Sequence, residues 1–307
     1  MAAADIGTNS TRLLVADVRD GSVIEVERLL EITRLGAGVD RSGALRPDAI
    51  ARVLACLERY ARIARSHEAD HRLAVATSAV RDALNRDELL GGIAAAGFPV
   101  RVLSGDEEAA ATFAGVLSAG TPPGGTLVID VGGGSTELVL GDRDGTVAWS
   151  CSLQMGCVRM TERFLGEQVV GADAIDACET AVRDLLAVVP RRVSARIERA
   201  VGVAGTATTA AAIELGLAEY DPARIHGSTV TLRQLVATRD RLALLTLEER
   251  RDVVGLEARR APVIVAGLVV LGCVLDHLGL DSFTVSERDI LHGAALLAAE
   301  SRSGVSL

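Results

Sequence analysis

Two stretches of the chain carry the same short pattern of acid, glycines and hydroxyls. The first is Ala4-Asp5-Ile6-Gly7-Thr8-Asn9-Ser10-Thr11-Arg12-Leu13-Leu14-Val15. The second is Ile129-Asp130-Val131-Gly132-Gly133-Gly134-Ser135-Thr136-Glu137-Leu138-Val139-Leu140. Aligned, Asp5 falls on Asp130, Gly7 on Gly132, Ser10 on Ser135, Thr11 on Thr136 and Leu13 on Leu138, while Arg12 falls on Glu137. Each acid ends an apolar run that reads as a buried strand, and each turn leads into another strand. Both copies then pass a polar turn (Asp17–Gly21, Asp142–Gly145) and enter a third strand. A repeat of this length implies two related domains. Glycine and hydroxyl turns at strand ends let the backbone approach a ligand and aim N–H groups at one point, which makes an anion nest. A hairpin turn with incidental acids would explain either copy alone, but not the repetition.

The chemistry open to such loops is narrowed by what the chain lacks. Its 307 residues include no lysine, so a nucleotide P-loop with its lysine is excluded. Phosphate must be held by backbone N–H, hydroxyls, arginine and metal. Aromatics make up 2% and net charge is −9, which argues against base stacking and against non-specific binding to nucleic acid or an anionic membrane. The five cysteines show no C-x-x-C spacing and read as reduced core thiols. The apolar run Ala261–Leu275 contains Pro262 and is too short to span a membrane. No leader is expected before the first strand, and the expected location is cytoplasmic.

Taken in order, strands are expected at residues 3–6, 11–18 and 23–30, then a helix from Pro47 to about His67 whose apolar residues recur at helical spacing. The strand Arg72–Thr77 empties into Ser78-Ala79-Val80-Arg81. Arg81 is either a phosphate clamp or a surface residue behind a helix cap. The strand 100–103 leads to Ser104-Gly105-Asp106-Glu107-Glu108, where Ser104 can cap a helix and the acids suit its dipole. The functional reading there needs Glu107 or Glu108 as a general base. Thr121-Pro122-Pro123-Gly124-Gly125 is the clearest linker, placing the domains at 1–123 and 124–307, with the last helix free to return to the first domain. In the second half a strand 200–204 opens Gly205-Thr206-Ala207-Thr208, a further glycine and hydroxyl loop. Helices are expected at 173–188, 230–245, 250–256 and 260–278, and a last helix from Ser286, with Ser286 and Asp289 as a capping box.

Such loops suit attack of water on a phosphoanhydride, with Asp130 and Glu137 on a divalent ion and Glu108 or Glu107 taking the proton. The ordered set Asp5–Ser10, Ala76–Arg81, Ser104–Ala109, Asp130–Glu137, Gly156-Cys157-Val158-Arg159 and Gly205–Thr208 resembles the exopolyphosphatase / guanosine pentaphosphate phosphatase family over the whole chain. The resemblance implies an α/β fold of duplicated actin-like ATPase (ribonuclease H-like) domains around a central cleft. It implies Mg²⁺-dependent release of terminal phosphate from inorganic polyphosphate, or of the 5′ phosphate from guanosine pentaphosphate, with Mn²⁺ as an alternative ion. It assigns the base to Glu108, metal and catalytic water to Asp130 and Glu137, and phosphates to Arg81, Gly133, Gly134 and Ser135. Asp5, the counterpart of Asp130, is expected to join the metal, and Thr8, Asn9, Ser10, Gly132, Gly205 and Thr206 the phosphates. A homodimer that binds neither nucleic acid nor membrane is expected, with a hinge near Thr121–Gly125. The chain resembles the short form without a C-terminal helical domain, which favours short polymers, and Pro262 stands where the family often has Asp. A non-catalytic phosphate-polymer sensor and an ATP-dependent small-molecule kinase are the readings from other classes.

Overall fold

In a computed structural model, the described residues are 1–120, 124–142, 144–166 and 168–303. The proposed linker residues 121–123 lie outside them. The chain divides into two compact units, Met1–Thr121 with Arg288–Leu307, and Pro122–Glu287.

The first unit opens with strands β1 (Ala2–Ile6), β2 (Thr11–Arg19) and β3 (Ser22–Glu31). Helices α1 (Val39–Ser42) and α2 (Pro47–Ser66) follow, then β4 (Arg72–Ala76), α3 (Ser78–Asp82), α4 (Arg86–Ala95), β5 (Val100–Val102) and α5 (Gly105–Leu117). The sheet order is β3-β2-β1-β4-β5, antiparallel on one side of β1 and parallel on the other. β1 reads Ala-Ala-Ala-Asp-Ile and every residue of it is buried, as a central strand covered on both faces must be.

The second unit holds β6 (Thr126–Val131), β7 (Thr136–Gly141), β8 (Val147–Leu153), α6 (Cys157–Met160), α7 (Ala172–Leu186), β9 (Arg199–Val203), α8 (Ala204–Glu214), α9 (Pro222–Ile225), β10 (Thr229–Thr231), α10 (Leu232–Ala243), α11 (Leu247–Arg251), α12 (Ile264–Leu278) and β11 (Ser282–Val285). Its order is β10-β11-β9-β6-β7-β8. Read from the meander inward, β8-β7-β6-β9 repeats β3-β2-β1-β4. This is the duplicated actin-like arrangement, and each loop of the repeat occupies the same corner of its sheet. Among the described residues no helix is long and apolar enough to cross a membrane. The five cysteines are free, four of them buried.

Two elements differ from expectation. The helix expected at 250–256 lies earlier: the capping box Thr246/Glu249 starts α11 at Leu247, the helix ends at Arg251, and the chain then passes Gly255 at φ +86°. The last helix, α13 (Ile290–Ser303), begins four residues beyond Ser286. Ser286 N donates instead to Gly202 O (2.9 Å), and Asp289 Oδ1 accepts from Leu291 N (3.0 Å), so Asp289 is the cap.

α13 belongs to the first unit and crosses α5 at two glycines. A methyl on Gly115 would overlap the carbonyl of Asp289, and one on Gly293 the carbonyl of Ala111. Backbone cannot yield as a side chain can, so Gly115→Ala is expected to destabilise this unit by about 3 kcal/mol. Gly91→Ala, in a helix with open space around the new methyl, is expected to stabilise by about 1 kcal/mol. Denaturant unfolding of the two variants checks the opposite signs.

Candidate active site

In the first unit the loop Gly7–Ser10 closes with Gly7 N donating to Ser10 O (2.9 Å). The chain returning from β3 bonds away the loop carbonyls: Arg34 N donates to Asn9 O (2.9 Å) and Gly36 N to Thr8 O (2.8 Å). A side chain at position 36 would overlap Thr8, so glycine is required for that approach. The N–H groups of Thr8 and Asn9 find no acceptor among the described residues, and Asn9 Nδ2 is buried without one. Buried donors without acceptors are costly unless a ligand satisfies them, and their chemistry fits an anion.

β4 runs parallel to β1, with Ala76 beside Ile6, so the turn Thr77–Arg81 emerges next to this loop. Leu103 N donates to Ala76 O (2.9 Å), which brings the start of α5 to the same sheet edge. Arg81 Nη1 donates to Leu103 O (2.8 Å) and to Glu108 Oε2 (2.9 Å), while its Nη2 is buried with no acceptor among the described residues. Arg81 is therefore not a surface residue. The geometry also separates the two glutamates. Glu107 is exposed and closes a capping box, accepting from Ser104 N (2.8 Å) while its own N–H donates to Ser104 Oγ (3.2 Å). The Ser104 backbone N–H, above all, holds the Glu107 carboxyl below the ordinary range. Glu108 is buried beside Arg81.

Asp5 is also buried, and its Oδ2 accepts from Arg12 Nε (2.9 Å) and Nη2 (2.6 Å). Arg12 Nη1 donates to Asp289 Oδ2, and Asp5 Oδ1 has no partner among the described residues. Burial raises the pKa of Asp5 against the pull of Arg12. For Asp289, burial acts upward too, but Arg12 and His292 outweigh it and hold the carboxyl well below the ordinary range. Neither Arg12 nor Asp289 stood out in the sequence as a site residue.

His292 continues this cluster. It is fully buried, with Nε2 at 3.0 Å from Glu25 Oε1, and accepts from Asp289 N through Nδ1 (3.4 Å). Burial would lower its pKa, but Asp289 and Glu25 outweigh burial and raise it. A raised folded-state value means His292 contributes stability fully below its ordinary value of about 6.5, and loses it as pH rises through the folded value. The gap in melting temperature between the native protein and His292→Gln is therefore expected to be wider at pH 6 than at pH 9. Equal gaps would count against it.

The second unit repeats the loop. Gly132 N donates to Ser135 O (3.0 Å). The returning chain takes the carbonyls: Gly156 N to Gly134 O (3.0 Å), Cys157 N to Gly132 O (2.9 Å) and Val158 N to Gly133 O (2.8 Å). The N–H groups of Gly133 and Gly134 have no acceptor among the described residues. Arg159 braces the loop through Nε to Gly134 O (2.8 Å). Asp130 and Glu137 stand directly across the β6/β7 ladder and both are buried. Ser152, the next residue across on β8, donates to Glu137 Oε1 (2.6 Å). Cross-strand partners share a face with Cβ atoms about 5 Å apart, so two like charges are buried side by side, which a cation offsets. Among the described residues no three His, Cys, Asp or Glu side chains form a cluster that could hold a metal ion. Two carboxylates suit Mg²⁺, which keeps waters and takes substrate phosphates as its other ligands.

The third loop is more closed. Thr206 is buried, with Oγ1 3.4 Å from Val131 O. A methyl at Gly205 would overlap the guanidinium of Arg260, which lies on the loop backbone. Arg260 did not stand out in the sequence as a site residue. Ala204, just before, takes φ +59°.

The same elements in the same order define known proteins. The profile of the Ppx/GppA phosphatase family matches residues 14–300. This chain belongs to that family. Exopolyphosphatase 2 of Mycobacterium tuberculosis is 40% identical over 97% of this chain and 98% of its own. Guanosine-5′-triphosphate,3′-diphosphate pyrophosphatase of Vibrio vulnificus is 33% identical over 96% of this chain and 58% of its own. Among solved structures, the Ppx/GppA family member of Aquifex aeolicus covers 99% of this chain and 98% of its own, with a TM-score of 0.81 and 30% identity. An exopolyphosphatase-like protein covers 98% and 99%, with a TM-score of 0.91 and 32% identity. As a Ppx/GppA member, the chain carries its two repeated loops at corresponding corners of two related sheets.

Proposed function

We propose that this chain is an exopolyphosphatase, releasing terminal orthophosphate from inorganic polyphosphate, with short chains favoured. The observation that carries the choice of substrate is its full-length kinship, at 40% identity, with an exopolyphosphatase. Glu108 takes a proton from water as its oxygen attacks the terminal phosphorus. The bridging P–O bond breaks, and the shortened chain keeps the electron pair. Arg81, beside Glu108, binds phosphate through the Nη2 that has no acceptor, joined by Thr8, Asn9 and Ser10. In the second unit Gly132, Gly133, Gly134 and Ser135 offer backbone N–H, while Gly205 and Thr206 are the weaker members of this set. Asp130 and Glu137 hold Mg²⁺, or Mn²⁺, which when bound neutralises phosphate oxygens. The protein is taken to act in the cytoplasm, as a homodimer, a state that light scattering reads directly.

The test follows orthophosphate released from short polyphosphate, long polyphosphate, guanosine pentaphosphate and ATP in Mg²⁺. Release from polyphosphate that stops on adding a chelator is the expected result. Release from guanosine pentaphosphate alone would establish the second reading, a 5′-phosphatase, which the Vibrio vulnificus relative favours. Binding without release would indicate a sensor and overturn both.

A further inference from the structure

The two copies of the loop-bearing hairpin agree in strand register and disagree in charge at one place. Across the ladder from Asp130 stands Glu137; across from Asp5 stands Arg12. The second unit thus sets side by side the two carboxylates read above as the Mg²⁺ ligands. The first unit carries its cation within the chain. Arg12 sends Nε and Nη2 to Asp5 Oδ2 and Nη1 to Asp289 Oδ2, and only 16% of its side chain is exposed. Guanidinium does not deprotonate in a protein. A divalent ion arriving at Asp5 would share a carboxylate already bound twice, beside a fixed positive charge. One oxygen, Asp5 Oδ1, stays without a donor among the described residues, and a water suffices to satisfy it.

We infer that Arg12 stands in for a second metal ion. The protein holds one divalent cation per chain, at Asp130 and Glu137, and Asp5 is not a metal ligand but one of two acids, with Asp289, that hold Arg12. This rests on the metal reading of Asp130 and Glu137 above. A change of charge at a single position, arginine in one copy and glutamate in the other, then separates the roles of the two loops.

The experiment counts Mn²⁺ bound to the full-length protein without substrate, by the paramagnetic resonance signal of the free ion. One ion per chain is expected for the native protein. Asp5→Asn is expected to keep it with affinity changed less than about twofold, and Asp130→Asn to lose it. Arg12→Glu, which recreates the Asp130/Glu137 pairing in the first unit, is expected to bind a second ion. Should Arg12→Glu fail to fold, Arg12→Gln frees Asp5 with a smaller change in charge and is expected to bind a weaker second ion. Two ions on the native protein, loss of the ion in Asp5→Asn, or a folded Arg12→Gln with still one ion would each overturn the inference. Retention in both Asp5→Asn and Asp130→Asn would overturn the placement at Asp130 while still excluding Asp5 as a ligand.

Discussion

Replacing Glu108 by Gln is expected to cut orthophosphate release from polyphosphate by about a thousandfold while polyphosphate still binds. The size follows from what is removed. A positioned general base contributes roughly a hundred- to ten-thousandfold, and Gln keeps the shape and a carbonyl acceptor for Arg81 Nη1 but cannot take a proton. Arg81 also keeps its bond to Leu103 O, so its guanidinium stays in place. The neighbouring change is the control. Glu107→Gln removes a charge from an exposed capping box, costs about 1 kcal/mol of helix stability at most, and is expected to leave turnover within about threefold. Rates and binding measured side by side on both variants decide the matter. A Glu108→Gln enzyme with more than a tenth of native turnover would remove Glu108 from the mechanism, and a large loss in Glu107→Gln would exchange their roles.

Glu107 and Glu108 also show where the sequence stopped being informative. Adjacent residues in the first turn of a helix differ in direction by about 100°, so one faces water and the other the core. Which is which depends on Arg81, 27 positions away. By contrast, the strands and loops of both repeats were readable. A run such as Thr-Leu-Val-Ile ending in Asp and three glycines allows few conformations, and the same pattern twice in one chain fixes the architecture. What could not be read was pairing at a distance. Arg12 finds Asp289 across 277 positions, and a capping box placed at Ser286 from local spacing gives way to Asp289 because Ser286 N is taken by β9. Arg260 lies on Gly205 for the same kind of reason: the space is set by packing between α8 and the turn before α12, which no local pattern records.

Asp130→Asn is expected to abolish the rise in melting temperature that Mg²⁺ gives the native protein, and to lower phosphate release by a hundredfold or more. Asp130 and Glu137 are two buried carboxylates paired across β6 and β7. Without a cation they repel, so the metal-free native protein carries a destabilising term that the ion removes. An ion at about a hundred times its dissociation constant stabilises the folded state by about 2.7 kcal/mol. Asn relieves the repulsion permanently. The metal-free variant is therefore expected to melt above the metal-free native protein and to respond little to Mg²⁺, so the order of the two stabilities reverses as the ion is added. The activity loss has a separate origin, since neutralising charge on transferring phosphate contributes several kcal/mol and each tenfold in rate is about 1.4 kcal/mol. A variant stabilised by Mg²⁺ as much as the native protein would show that the ion sits elsewhere. A variant that loses activity and is also less stable without metal would make Asp130 a structural acid, held by hydrogen bonds rather than by a cation.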